Sequence, residues 1–94
     1  MMKLPVDYAE LTWQERKLVR EEYISRQKGK CSYCGEPLDK AAARKIMKKQ
    51  IDIELFPLGF FRWPVHLHHC HDTGMTIGAV HCHCNAVLFQ YHGE

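Results

Sequence analysis

A chain of 94 residues has room for a single domain, read here as residues 1–94, with a core too small to be generous. A net charge of +2 names no partner by itself, and no stretch approaches the roughly 20 apolar residues of a membrane span. Five cysteines, grouped closely rather than spread as a disulfide framework, favour metal binding in a reducing, cytoplasmic setting. The first residues carry no apolar run of signal-peptide length, in keeping with that expectation.

Residues 1–11 read as an irregular lead-in. Thr12-Trp13-Gln14-Glu15 matches a capping box, and a helix is expected over 12–28, with Gly29 as its stop. Leu11, Leu18, Val19, Tyr23 and Ile24 give it a partial apolar stripe, and Glu22 with Arg26 forms an i,i+4 pair. Cys31-Ser32-Tyr33-Cys34-Gly35 has the spacing of half a zinc knuckle: two intervening residues let both thiolates reach one ion, and Gly35 permits the turn behind them. A redox pair shares that spacing, but it wants a strand before it and a long helix starting at it.

Asp39 is a candidate cap for a second helix running to about Lys49. Lys40, Arg44, Lys45, Lys48 and Lys49 have no acid among them, and Arg44/Lys48 and Lys45/Lys49 would repel at i,i+4. An anionic partner would relieve that repulsion, so Lys45, Lys48 and Lys49 are candidate phosphate contacts, with a plainly solvated surface as the alternative. The stretch from Ile51 to Pro64 is rich in aromatic residues and broken by Pro57, Gly59 and Pro64. Packing of an irregular loop is its simplest reading, with base stacking as the alternative.

Val65–His69 and Thr76–Val80 read as two strands joined by an Asp72-Thr73-Gly74 turn, followed by a helix from about His83. Histidine and cysteine crowd this end of the chain. His81-x-x-Cys84 repeats the spacing of Cys31-x-x-Cys34, so Cys31, Cys34, His81 and Cys84 are the preferred ligands of a structural zinc. A four-cysteine set with Cys82 in place of His81 stays open, although Cys82-x-Cys84 is tight for two ligands of one ion. Apparent zinc affinities of roughly 10–16 kcal/mol would make this site decide folding.

His68 and His69 are adjacent, and Asn85 lies beyond the second strand. One histidine can take a proton from water, and one divalent cation with open positions can neutralise developing charge. In a regular strand, however, His68 and His69 point to opposite faces, so both serve one site only where the strand ends or kinks. A second, purely structural metal bound by the same histidines is the alternative reading of the cluster.

The pattern L-H-H-x-H-x-T-G, a short strand and then H-x-x-C-N, after an upstream C-x-x-C, resembles the HNH (ββα-metal, His-Me finger) nuclease superfamily. The phage-type, recombination-endonuclease-like branch is the most similar. The likeness covers Cys31–Cys34 and Val65 to about Leu88. It implies an α+β fold: a small zinc-stabilised ββα-metal module over 65–92, clipped by a knuckle of 31–34 and 81–84 and preceded by the N-terminal helix. It implies His69 as general base, His68 and Asn85 as ligands of a catalytic cation (magnesium, manganese, nickel or similar), and His71 as a candidate phosphate contact.

The family's commoner residues are Asp at position 68 and Cys at position 81, and Thr76 stands near where many members carry an asparagine. His66, Cys70, Cys82 and His83 receive no role. The activity implied is that of a metal-dependent DNA endonuclease, nicking one strand or cutting both, leaving a 5′-phosphate and a 3′-hydroxyl. The alternative is a non-catalytic zinc-dependent DNA-binding or assembly module. DNA is the expected partner. A second copy of the chain is a candidate, and a phage packaging or recombination machine in a bacterial host is implied by the type of resemblance alone.

Overall fold

The computed structural model of the chain describes residues 2–93. The first long element is α1 (Trp13–Arg26). It starts where the capping box requires: Thr12 Oγ1 accepts from the Glu15 amide at 3.1 Å, and Glu15 Oε1 accepts from the Thr12 amide at 2.8 Å. It ends as Lys28 and Gly29 take positive φ and the Gly29 amide returns to the Ile24 carbonyl at 2.9 Å. The Glu22–Arg26 pair forms at 2.8 Å. Of the expected stripe, Val19 is buried while Leu18 stays exposed.

The knuckle residues form a tight reversal. Lys30 pairs with Pro37, and the Cys31 amide donates to the Glu36 carbonyl at 2.9 Å. Gly35, at φ 81°, sends its amide back to the Cys31 carbonyl.

The second helix is much shorter than expected. α2 spans Arg44–Met47, its N-cap is Ala43, and no side chain caps it; Asp39 lies outside it, in a turn. Lys48 caps the helix, its amide on the Arg44 carbonyl at 3.0 Å, so one turn carries Arg44 and Lys48, and Lys49 lies beyond it. Four residues with one buried anchor, Ile46, are what a basic sequence without an apolar face sustains. The aromatic stretch is partly packed. Phe56, Phe60 and Phe61 form a ring cluster with Phe89, while Leu58 and Trp63 face solvent.

β1 (Val65–His69) and β2 (Thr76–His81) form an antiparallel pair, and α3 (Cys82–His92) follows β2 without a loop. The turn closes with the Gly74 amide on the Cys70 carbonyl at 2.8 Å and Gly74 at φ 78°. The register runs from Val65 opposite His81 to His68 opposite Gly78, and then slips, so that His69 faces Thr76 and Ile77 is the extra residue. β2 therefore bends beside His69.

The lead-in is more ordered than the sequence suggests. Val6 and Thr76 exchange two hydrogen bonds, at 3.0 and 2.9 Å, Asp7 bridges Met75, and the Tyr8 amide reaches the Gly74 carbonyl at 2.8 Å. Residues 6–8 thus strap the outer edge of β2. The remaining edge is covered by Gln27, whose side chain both accepts from the Ala79 amide and donates to its carbonyl, each at 2.9 Å. An edge that would otherwise be open is satisfied this way. Val80, Val87 and Cys84 are the most deeply buried side chains, so the core sits between β2 and α3, closed off by Leu38, Ala42 and Ile46. No helix of the described residues is long and apolar enough to cross a membrane.

Candidate metal centre and histidine cleft

The side chains of Cys31, Cys34, His81 and Cys84 converge, with one ligand atom from each lying within 4.8 Å of all the others. The knuckle supplies two, the last residue of β2 supplies His81, and the first turn of α3 supplies Cys84. Cys34 Sγ lies 3.5 Å and Cys84 Sγ 3.7 Å from His81 Nδ1. A tetrahedral zinc, with Zn–S near 2.3 Å and Zn–N near 2.0–2.1 Å, sets such sulfur–nitrogen separations at about 3.5–3.6 Å. The cluster is therefore placed to hold a metal ion and fits zinc.

His81 is prepared for that role. Its Nε2 lies 2.9 Å from the Pro37 carbonyl, which can only accept, so the proton sits on Nε2 and Nδ1 offers its lone pair to the cluster. The amides of Tyr33 and Cys34 point at Cys31 Sγ, at 3.4 and 3.5 Å. The Cys31 thiol is pushed down to about 4, first by a hydrogen bond from the Cys84 thiol and then by backbone amides, against its burial. Cys84, the donor in that bond, is pushed up. The four-cysteine alternative is not what the fold assembles. Cys82 lies outside the group, with its Sγ beside His83 Nδ1 at 3.7 Å, and burial raises its thiol above the usual range.

A second feature lies at the far end of the sheet. Tyr8, Ala9, His69, Cys70, His71 and Gly74 line an open cleft of about 400 Å³. The His69 ring is stacked on Tyr8, 3.9 Å between centroids and 7° from parallel. Arg16 of α1 sits 4.0 Å from the centre of the same Tyr8 ring, which assigns it the opposite face, and its guanidinium also donates to the Tyr8 carbonyl at 3.3 Å. His71 lies 5.3 Å from His69 and 5.5 Å from Phe89, so the rings continue from the cleft to α3. The His69 imidazole is held below its usual pKa by partial burial first, then by the positive charge available to His71.

His68 is buried, and strand alternation turns it to the face of β1 opposite His69, together with His66. Asn85, in the second turn of α3, reaches His66: its Nδ2 is 3.1 Å from His66 Nδ1. His66 in turn places Nε2 2.9 Å from the Phe60 carbonyl, and burial lowers its pKa. Lys45, Lys48 and Lys49 are exposed, with the Lys49 ammonium 4.8 Å above the Tyr91 ring.

Three residues of this site escape a reading of the sequence alone: Tyr8, Arg16 and His66. For Tyr8 the local sequence carries no signal, because its partner His69 lies far along the chain, and Arg16 belongs to the site only through Tyr8. For His66 the signal was present in the H-x-H alternation with His68, which puts both imidazoles on one strand face. Comparison with known protein families, with curated proteins and with solved structures finds no match for this chain.

Proposed function

We propose that the chain is a metal-dependent DNA endonuclease of HNH type, with His69 as its general base. The single observation that carries the reading is the setting of His69. It is an imidazole with a lowered pKa, fixed in orientation by an aromatic stack, in an open cleft at the end of a strand–turn–strand–helix unit. A general base for water must be neutral, oriented and reachable by solvent, and His69 meets all three conditions.

In the proposed reaction His69 accepts a proton from water as its oxygen attacks phosphorus. The bond from phosphorus to the 3′-oxygen breaks, and that oxygen takes a proton from solvent water, leaving a 5′-phosphate and a 3′-hydroxyl. His71, on the rim of the same cleft, is placed to meet a phosphate oxygen, and Lys45, Lys48 and Lys49 offer backbone contacts without sequence preference. His68 and Asn85 would hold the divalent cation, which supplies charge neutralisation at the phosphate. Their donor chemistry fits such an ion: one imidazole and one amide oxygen leave most coordination positions open and favour nickel or cobalt over magnesium. The bulge beside His69 is in β2, where Ile77 is the extra residue, and β1 keeps His68 and His69 on opposed faces, so a shared site would have to form around the end of the strand. The Cys3His cluster would carry structural zinc, joining the start of α3 to the knuckle.

Supercoiled plasmid separates this reading from a zinc-dependent binding or assembly module. Zinc-loaded protein with added nickel, manganese or magnesium salt should convert the plasmid to nicked or linear form, and zinc-loaded protein alone should not. The product form then reports whether one strand or both are cut. Retention of plasmid in a mobility assay with no conversion under any cation would leave the non-catalytic module standing.

A further inference from the structure

The aromatic stretch before β1 and the unassigned His66 are explained together by one chain of hydrogen bonds. Phe60 begins a short 3₁₀ turn, Phe60–Arg62, which Gly59 enters at φ 82°. That turn aims the Phe60 carbonyl at His66 Nε2, 2.9 Å away, while the Phe60 ring meets the imidazole edge-on at 4.5 Å and 80°. A carbonyl oxygen only accepts, so the proton of the neutral ring is on Nε2. Nδ1 is then left with a lone pair. The group 3.1 Å from that lone pair is the Asn85 side chain, and only its NH2 end can donate there.

The two ends of an asparagine amide differ completely toward a cation. The oxygen is a good ligand, and the nitrogen has no lone pair to give. Which end faces outward is normally free to change by a half-turn. Here the half-turn would set Asn85 Oδ1 against the His66 lone pair, exchanging an attraction for a repulsion. We infer that His66 is a positioning residue that fixes the Asn85 amide with Nδ2 inward and Oδ1 presented as a cation ligand, the Phe60 carbonyl setting the ring's proton. The inference rests on the proposed reading of Asn85 as a ligand of the catalytic ion. It also gives the Phe56–Phe61 cluster a task, since its packing against Phe89 of α3 holds the turn that supplies the Phe60 carbonyl.

Two measurements on the zinc-loaded chain test it. Nitrogen-15 spectra of the wild-type histidine rings should show His66 as the tautomer protonated on Nε2; a proton on Nδ1 overturns the inference without reference to any activity. Calorimetric titration with nickel or manganese should then show weaker cation binding by His66→Phe, by about fivefold, the worth of one neutral hydrogen bond. The cation concentration for half-maximal plasmid cleavage should rise in step, with kcat at saturating cation little changed. In an Asn85→Asp background the same His66→Phe change should have no such effect, because a carboxylate presents an oxygen whichever way it turns.

Equal cation affinity of wild type and His66→Phe overturns the role of His66 alone. No cation bound by either protein beyond the zinc overturns the nuclease reading and this role with it. If His66→Phe loses its zinc or its helical circular dichroism, the tautomer of the wild type decides the matter.

Discussion

His69 owes its orientation to a residue near the other end of the chain. Tyr8 lies parallel to it at 3.9 Å, and Arg16 holds the far face of Tyr8 at 4.0 Å. An aromatic stack is worth about 0.5–1.5 kcal/mol beyond its buried area. Tyr8→Ala should therefore lower kcat for plasmid cleavage by up to about tenfold, and Tyr8→Phe should stay near wild type, with zinc content unchanged in both. A Tyr8→Ala protein with wild-type kcat would show that the stack does not position the base. The cysteines allow a sharper contrast. Cys31 belongs to the group placed to hold a metal ion and Cys82 does not. Cys31→Ser should abolish stoichiometric zinc, read by elemental analysis, and lower Tm severely or prevent folding. Cys82→Ser should keep one zinc per chain and most of the stability. If Cys82→Ser were as damaging as Cys84→Ser, His81 would not be the fourth ligand.

Among the elements, β2 is closely packed at Gly78. A Cβ on Gly78 would lie 2.8 Å from Ser32 Oγ and 2.9 Å from Gln27 Oε1. Gln27 cannot withdraw without giving up both bonds to Ala79. Gly78→Ala should consequently cost about 1–3 kcal/mol, the usual penalty of overpacking, seen as a lower Tm at full zinc occupancy. An unchanged Tm would mean that the Gln27 clasp adds nothing to stability. The short α2 carries a different expectation. Lys45→Ala with Lys49→Ala should weaken DNA binding and flatten its dependence on log salt by about one unit of slope per lost phosphate contact, leaving cleavage at saturation nearly unchanged. A salt dependence identical to wild type would make this segment a solvated surface.

At the scale of the whole molecule, legibility followed the range of the interactions. The Thr12–Glu15 capping box is a four-residue signal, and it placed α1 within two residues at either end. The two x-x spacings were enough to anticipate the Cys3His group, because a metal site needs only ligands that can meet. The second helix falls short of the span from Asp39 to Lys49 because only Ile46 and Ala42 bury an apolar side chain there, and Met47 stays exposed. The strap of Val6, Asp7 and Tyr8 over β2, the Gln27 clasp and the His66–Asn85 bond were out of reach. Each joins segments far apart in sequence, through residue types that look ordinary where they stand.

Whether His69 takes the proton from water is read from the pH dependence of DNA cleavage by wild type and His69→Ala. A base acts in its neutral form. Burial and the neighbouring charges lower the His69 pKa, so the neutral form already dominates below the ordinary value of about 6.5. Wild-type cleavage should rise with pH, reach its midpoint below about 6.5, and then level off. His69→Ala, folded and carrying its zinc, should bind DNA as before and cut it roughly 10²–10⁴-fold more slowly, without that rise. A folded, zinc-loaded His69→Ala protein that cuts at the wild-type rate with the wild-type pH profile would contradict the mechanism.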